Sequence, residues 1–310
     1  MKSSTATGTT ATVSSGASPP YRGRFAPSPT GPLHQGSLLA AVASWLDVRS
    51  RGGIWLIRME DLDAPRVVRG AADSILTTLA RVGLTSDETV LYQSTRAAAY
   101  GRALEVLAAR GLAYRCRCSR SEIQGPYDGR CRDLGITDPD SAWRLRLTPA
   151  ATIAFDDVIQ GHLEFPVASL GDPVLMRRDS IAAYQLAVVV DDAFQGINHV
   201  VRGADLLDST AWQIALAQAL QLPVPGFAHV PVLTEPDGQK LAKSRRSLPI
   251  AGTAPAELLA ATLGLLGLPL TSQLKAASVS DILHWAVQHW NPQVVAGIRT
   301  IPLPTGSQLA

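Results

Sequence analysis

His34-Gln35-Gly36-Ser37 and, more than two hundred residues later, Lys240-Leu241-Ala242-Lys243-Ser244 are the segments whose residue types can handle a phosphate. Gly36 has no side chain to block a flat base or ribose, and the His34 imidazole can donate to a phosphate oxygen. The chain holds four lysines (Lys2, Lys240, Lys243 and Lys275) against twenty-four arginines, so one pentapeptide contains half of its lysines. An ammonium is a compact charge on a flexible stem, whereas a guanidinium is a rigid fork. Each segment alone is a weak signal. The tetrapeptide also fits an ordinary helix start with a solvent-exposed His, and the lysines a solvated loop. Together, in this order, they frame a nucleotide-handling site.

Cys116, Cys118 and Cys131 form a third constellation. Three thiolates within sixteen residues suit tetrahedral Zn²⁺, which takes a fourth ligand. Residue chemistry leaves that ligand open between water and a carboxylate such as Asp128 or Asp133. The bland alternative is three reduced cysteines, two of them on one face of a strand. An odd, local set argues against a disulfide framework.

These residues need elements to position them. Tyr21 to Ala26 reads as a short strand, stopped by Pro27-Ser28-Pro29-Thr30-Gly31-Pro32. A helix follows from about His34, with Leu38, Leu39, Val42, Trp45 and Leu46 on a single apolar face. Its start presents free amides and a positive dipole end, which attract phosphate. Gly52-Gly53 ends it. Ile54 to Ile57 is a buried strand that delivers Arg58, Glu60, Asp61 and Asp63 at its carboxyl end. Strand, loop, helix, strand is the opening of a doubly wound α/β sheet, so the turn at 27–36 and the acidic cluster at 60–63 should line one crevice. A helix that Ser94 could cap and Gly111 could end leads to the cysteines. Further on, Ile181–Asp192, Ser209–Leu220, Ala254–Leu266 and Ser280–Trp290 read as helices, and Ile197–Val201 and His229–Leu233 as strands. The Pro236-Asp237-Gly238 turn puts Lys240 on a loop edge.

Composition bounds the rest. The chain of 310 residues is 46% hydrophobic and 17% charged, as in a globular protein with one large or two ordinary domains. A net charge of +2 excludes a global polycation, so an RNA surface must be a local patch. Arg115, Arg117, Arg120, Arg130 and Arg132 crowd the cysteines, and Ser141–Leu147 alternates apolar with basic residues, one face buried and one positive. Such a patch suits phosphate contacts, and a merely solvated face fits equally well. No apolar run is long enough to span a membrane. Residues 1–20 read as a disordered Ser/Thr/Ala/Gly tail with no signal-peptide core, which makes cytoplasm the expected compartment.

Arg24-Phe25-Ala26-Pro27-Ser28-Pro29-Thr30-Gly31, Met59-Glu60-Asp61-Leu62-Asp63 and Tyr184 through Val201-Arg202-Gly203-Ala204-Asp205, taken with the two phosphate segments, resemble the catalytic half of glutamyl-tRNA synthetases. The resemblance runs from about residue 21 to 250. Within that family the chain is most similar to the short glutamyl-queuosine tRNA(Asp) synthetase paralogues, with Ser37 where ordinary members carry His. It stops some sixty residues beyond Lys243, which leaves no room for anticodon-binding domains. The resemblance implies a class I Rossmann-type fold that activates L-glutamate with ATP and Mg²⁺. It places Arg24, Ser28, Glu60, Tyr184 and Arg202 in the glutamate pocket, with Glu60 for the ammonium, the two arginines for carboxylate and the hydroxyls as hydrogen-bond partners. It gives ATP to His34, Gly36 and Lys243, and charge stabilisation during adenylation to His34 and Lys243 with Lys240 in support. Ala242 stands where the family usually has Ser, which removes one hydroxyl. Zn²⁺ would sit on Cys116, Cys118, Tyr127 and Cys131, with Tyr127 as fourth ligand.

The implied organisation is a tail (1–20), a split catalytic domain (21–115 and 173–250), an inserted zinc-containing α+β subdomain that receives RNA (116–172) and a helical stem (251–310). The implied partner is tRNA(Asp) bearing queuosine, approached by a monomer. Residue chemistry does not identify that base. The same pocket would serve a truncated synthetase charging tRNA(Glu), a nucleotidyltransferase for another small acid, or a catalytically silent RNA binder.

Overall fold

A computed structural model describes residues 19–234, 250 and 252–303. The amino-terminal half alternates strands and helices: β1 (Arg22–Phe25), α1 (Gln35–Arg49), β2 (Ile54–Met59), α2 (Ala71–Arg81), β3 (Leu91–Tyr92) and α3 (Ala97–Ala109). There follow β4 (Ala113–Cys116), β5 (Ala142–Leu145), β6 (Thr152–Asp157), β7 (Gly161–Pro166), the short α4 (Val167–Leu170) and β8 (Val174–Met176). The chain then returns through α5 (Tyr184–Phe194), β9 (His199–Gly203), α6 (Leu207–Leu220), β10 (Gly226–Val230) and β11 (Val232–Thr234). After residue 250 come α7 (Pro255–Leu265), α8 (Ser272–Lys275), α9 (Val279–His289) and β12 (Thr300–Pro302).

β1, β2 and β3 form a parallel sheet with β2 central, and β9, β10 and β6 run parallel in a second, edged by antiparallel β7. Asn198 stitches the two sheets together, since its N–H donates to the Arg22 carbonyl at 3.1 Å and its Oδ1 accepts the Arg22 N–H at 2.8 Å. The doubly wound arrangement expected of the first strand, helix and strand is therefore present, with strand order reversing between β1 and β9. A separate antiparallel sheet contains β4, β5 and β8. The stretch from 116 to 172 thus feeds two sheets: β5 joins the antiparallel one, while the β6–β7 hairpin extends the parallel one.

The helix starting at His34 is correct, but its expected single apolar face is not. Ala41, Ala43, Ser44, Asp47 and Val48 are buried as well as Leu38, Leu39, Val42 and Leu46, while Trp45 is only half-buried. The reason is its position: α1 packs against β1 and β2 on one side and α7 and α9 on the other, inside the largest core cluster. Trp55 is fully buried there, its indole N–H satisfied by Ser44 Oγ at 3.0 Å. A second cluster joins α3, α5 and α6 to the antiparallel sheet.

Several local expectations need correction. Ser94 does not cap α3; it lies in the 3₁₀ turn before it, with N–H and Oγ bonded to Asp61 at 2.8 and 2.6 Å. Of the acidic cluster, Asp61 is therefore taken up by that turn, and Asp63 by Arg66 and Arg177. The positive face of β5 is largely internal: Arg144 is buried, stacks 3.9 Å from the Tyr127 ring and donates to the Asp172 carbonyl at 2.7 Å. Arg115, Arg130, Arg132 and Arg146 are likewise held, by the carbonyls of 138–139, Asp128, Asp172 and Asp133. The carboxyl-terminal stem is not wholly helical, because β12 pairs in parallel with β11. Among the described residues, no helix is long and apolar enough to cross a membrane.

Candidate active site and cysteine cluster

Register explains why two arginines converge. Arg24 on β1 lies opposite Leu56 on β2, and Arg58 is two residues beyond Leu56, so both side chains leave the same sheet face. There they meet Asp192 of α5. Arg24 donates from Nε at 2.9 Å and from Nη2 at 3.3 Å, and Arg58 from Nη1 at 2.7 Å. All three are buried, and the two guanidinium groups hold the Asp192 carboxyl low although burial alone would raise it. Glu60 follows just past the end of β2, fixed by its N–H to the Pro27 carbonyl at 2.9 Å. This bond sets the Pro27-Ser28 turn beside the end of β2, where Ser28 is exposed.

Glu60 Oε1 is 3.6 Å from Arg58 Nη2, and both atoms are buried with no hydrogen-bond partner. Burial raises the Glu60 carboxyl, opposed by Arg58, Arg24 and Arg202. A buried donor and acceptor left unpaired cost free energy until a ligand or water meets them. Arg202 reaches the same region from β9. Its Nη1 donates to the Tyr184 hydroxyl at 3.3 Å, Nη2 to Thr210 Oγ1 at 2.7 Å and Nε to His229 Nε2 at 3.1 Å. Arg24, Glu60, Tyr184 and Arg202 are thus brought together, with Ser28 at the rim. Arg24 is not the open fork expected of it: its Nε edge is held by Asp192, which leaves Nη1 for a ligand.

Residue types alone delivered Arg58 to the crevice without giving it a role, and missed Asp192, Asp157, Thr210 and His229. Asp191-Asp192 inside the otherwise apolar α5 was the available signal, since carboxylates are almost never fully buried unless paired. Asp191 accepts from Gln93, Arg96 and the Tyr100 hydroxyl, which locks α3 to α5.

His34 is the N-cap of α1. Its Nδ1 accepts the Ser37 N–H at 3.2 Å, and Nε2 lies 2.9 Å from Ser37 Oγ. An accepting Nδ1 carries no proton, so in the neutral ring Nε2 carries it and Ser37 Oγ accepts. Gly36 lies beside the His34 ring, where an added Cβ would make an ordinary contact at 3.4 Å. Lys240 and Lys243, with Ala242 and Ser244, lie outside the described residues.

The sulfurs of Cys116, Cys118 and Cys131 lie within 4.8 Å of one another. The Tyr127 hydroxyl is among them, 3.3 Å from Cys116 Sγ and 3.8 Å from Cys118 Sγ, and it accepts the Cys131 N–H at 3.1 Å. Zn–S bonds of about 2.3 Å in a tetrahedron set sulfur–sulfur edges of roughly 3.8 Å, so three thiols and a phenol oxygen fit the ion's size and softness. Asp128 and Asp133 turn to Arg130 and Arg146 instead.

The family model for class I tRNA synthetases (E and Q), catalytic domain, matches residues 21–257. The chain belongs to that family. This class I synthetase is similar to the "Glutamyl-Q tRNA(Asp) synthetase" of Pseudomonas syringae pv. syringae, with 47% identity over 90% of this chain and 96% of the relative. The protein of the same name from Burkholderia cenocepacia is 50% identical, over 88% and 96% of the two chains. Among solved structures, a glutamate-tRNA synthetase from Elizabethkingia anophelis superposes with a TM-score of 0.76 at 24% identity, covering 90% of this synthetase and 67% of that chain. At that identity the likeness speaks to the fold. The nucleotide-binding architecture expected from the first strand, helix and strand is the fold this synthetase has.

Proposed function

We propose that this synthetase activates L-glutamate with ATP and transfers it to queuosine in tRNA(Asp). The pocket chemistry carries the first half. Arg24, Arg58 and Arg202 face Glu60 and Asp192, an excess of one positive charge, and glutamate carries an excess of one negative. The unpaired Glu60 Oε1 suits the substrate ammonium, and Arg58 Nη2, Arg24 Nη1 and the spare N–H groups of Arg202 suit its carboxylates. The relatives' name supports the second half. Their glutamyl-Q tRNA(Asp) synthetases match nearly their whole length to this chain.

In this reading the α-carboxylate attacks the α-phosphorus and pyrophosphate leaves, so positioning and charge stabilisation dominate. Glu60 and the arginines orient glutamate. His34 turns its Nε2 proton from Ser37 Oγ to a phosphate at the start of α1, where the dipole also favours the anion. Lys240 and Lys243 would supply compact ammonium charges, and Mg²⁺ when bound would help neutralise the phosphates. Zn²⁺ on Cys116, Cys118, Tyr127 and Cys131 would be structural, fastening the loop from 117 to 141 between β4 and β5. The test is glutamate-dependent ATP–pyrophosphate exchange, followed by labelled glutamate offered to queuosine-containing tRNA(Asp), queuosine-free tRNA(Asp) and tRNA(Glu). Exchange with label only on the first is the expected result. Label on tRNA(Glu) released by mild base would replace the acceptor, and no exchange from folded protein would remove the synthetase reading.

A further inference from the structure

One buried titratable side chain near the pocket has no part in that scheme. His229, on β10, is fully buried between Asp157 and Arg202. Its Nδ1 is 2.6 Å from Asp157 Oδ2, and its Nε2 is 3.1 Å from Arg202 Nε. A guanidinium N–H can only donate, so Nε2 must be the bare acceptor and the proton must lie on Nδ1, where Asp157 accepts it. Asp157 is itself held rigidly, because its Oδ1 accepts the N–H groups of His229, Ile159 and Gln160 at 3.1, 3.0 and 2.8 Å. Burial, aided by the Arg202 charge, keeps the imidazole neutral against the pull of Asp157.

Thr210 completes the arrangement. Its hydroxyl accepts Arg202 Nη2 at 2.7 Å and lies 3.0 Å from both the Leu206 carbonyl and His229 Nε2, either of which can take its one proton once Nε2 is bare. Nε and Nη2 of Arg202 are therefore fixed from behind, by His229 and Thr210. The Nη1 end is left beside Tyr184, in the electrostatic reach of Glu60 and Arg24. An arginine has enough rotamer freedom to miss a carboxylate by an ångström, and a fork held on one edge does not.

We propose that His229, kept as its Nδ1–H tautomer by Asp157, is a positioning residue that aims Arg202 and so sets the affinity for glutamate. This rests on Arg202 being a glutamate-binding residue, and the test separates the two ideas. His229→Leu removes the acceptor, whereas His229→Gln returns one near the Nε2 position. In pyrophosphate exchange the Leu variant should raise the glutamate KM about tenfold or more, leave the ATP KM unchanged, and be largely rescued by Gln. Equal losses in the Leu and Gln variants, or a lower kcat at unchanged glutamate KM, overturn the proposal. Nitrogen-15 NMR of the wild-type protein should find Nδ1 of His229 protonated and Nε2 bare at neutral pH. The opposite tautomer, or an imidazolium, overturns the proposal even if neither variant folds. Arg202→Lys is the separate arm. If it raises the glutamate KM while His229→Leu does not, only the positioning role fails; if it leaves the glutamate KM unaltered, the pocket reading of Arg202 fails with it.

Discussion

The Asp192 carboxylate receives the Nε and Nη2 groups of Arg24 side-on, at 2.9 and 3.3 Å, with both side chains almost fully buried. Arg58 shares that carboxylate from β2. Removing one charge from such a buried set leaves the others uncompensated, which costs about 3–5 kcal/mol. Asp192→Asn should therefore lower the unfolding free energy by about that amount in urea titration and weaken glutamate binding through Arg24. A loss under about 1 kcal/mol would mean that the arginines find other partners.

Glu60 gives a pH prediction of opposite sign to that of Asp192. Burial raises its carboxyl above the ordinary value near 4.5, outweighing Arg58 and Arg24. With a folded-state pKa above the unfolded one, the stability it contributes is present in acid and is lost as pH rises through the raised value. A substrate ammonium reverses this, since it needs the carboxylate. The glutamate KM should therefore climb as pH falls through the raised pKa, while Glu60→Gln binds weakly and without that dependence. Asp192, held low by its arginines, loses its contribution only further into acid, below the ordinary range of Asp. Exchange kinetics against pH on both proteins check the assignment; a wild-type profile flat above pH 4.5 sinks it.

His34 both caps α1 and carries the proposed phosphate contact, and one substitution can divide these. Asn is also a good N-cap, so His34→Asn should hold stability to within about 0.5 kcal/mol. It should nevertheless slow exchange by about two orders of magnitude, as loss of one transition-state donor does. Parallel thermal melts and exchange rates would reveal a capping role alone if activity survives.

Zinc analysis by atomic emission should return one ion per chain. Cys118→Ser should lose it and melt lower, whereas Asp128→Ala and Asp133→Ala should retain it. Tyr127→Phe should bind zinc about tenfold or more weakly in competition with a chromophoric chelator. Undiminished affinity there would return the fourth position to water.

Legibility in the sequence followed the range of the physics. Periodicity and turn chemistry located β1, α1, β2, α5, α6, α7 and α9, because these depend on neighbours in the chain. The β6–β7 hairpin went unrecognised because exposed residues such as Asp156, His162 and Glu164 dilute its apolar alternation. Resemblance named Arg24, Glu60, Tyr184 and Arg202, but not the side chains that hold them. Asp192 meets Arg24 across a sequence separation of 168 residues, and His229 meets Asp157 across 72, distances at which spacing carries no information. The arginines around the cysteines show the same limit: composition counts charges, and only the fold tells that Arg130, Arg132 and Arg146 each lie beside an acidic side chain.

β12 pairs with β11 so that Leu233 lies opposite Ile301, and the Leu303 N–H reaches the Thr234 carbonyl at 2.9 Å. Thr234 is the last described residue before the stretch that contains both lysines, and Ile250, buried at 3% exposure, is the first after it. Strand β12 therefore splints the chain at Thr234, while the core under α7 secures it at Ile250. A change that unseats β12 or the core under α7 is therefore a change to the anchors at Thr234 and Ile250, however distant from them in sequence.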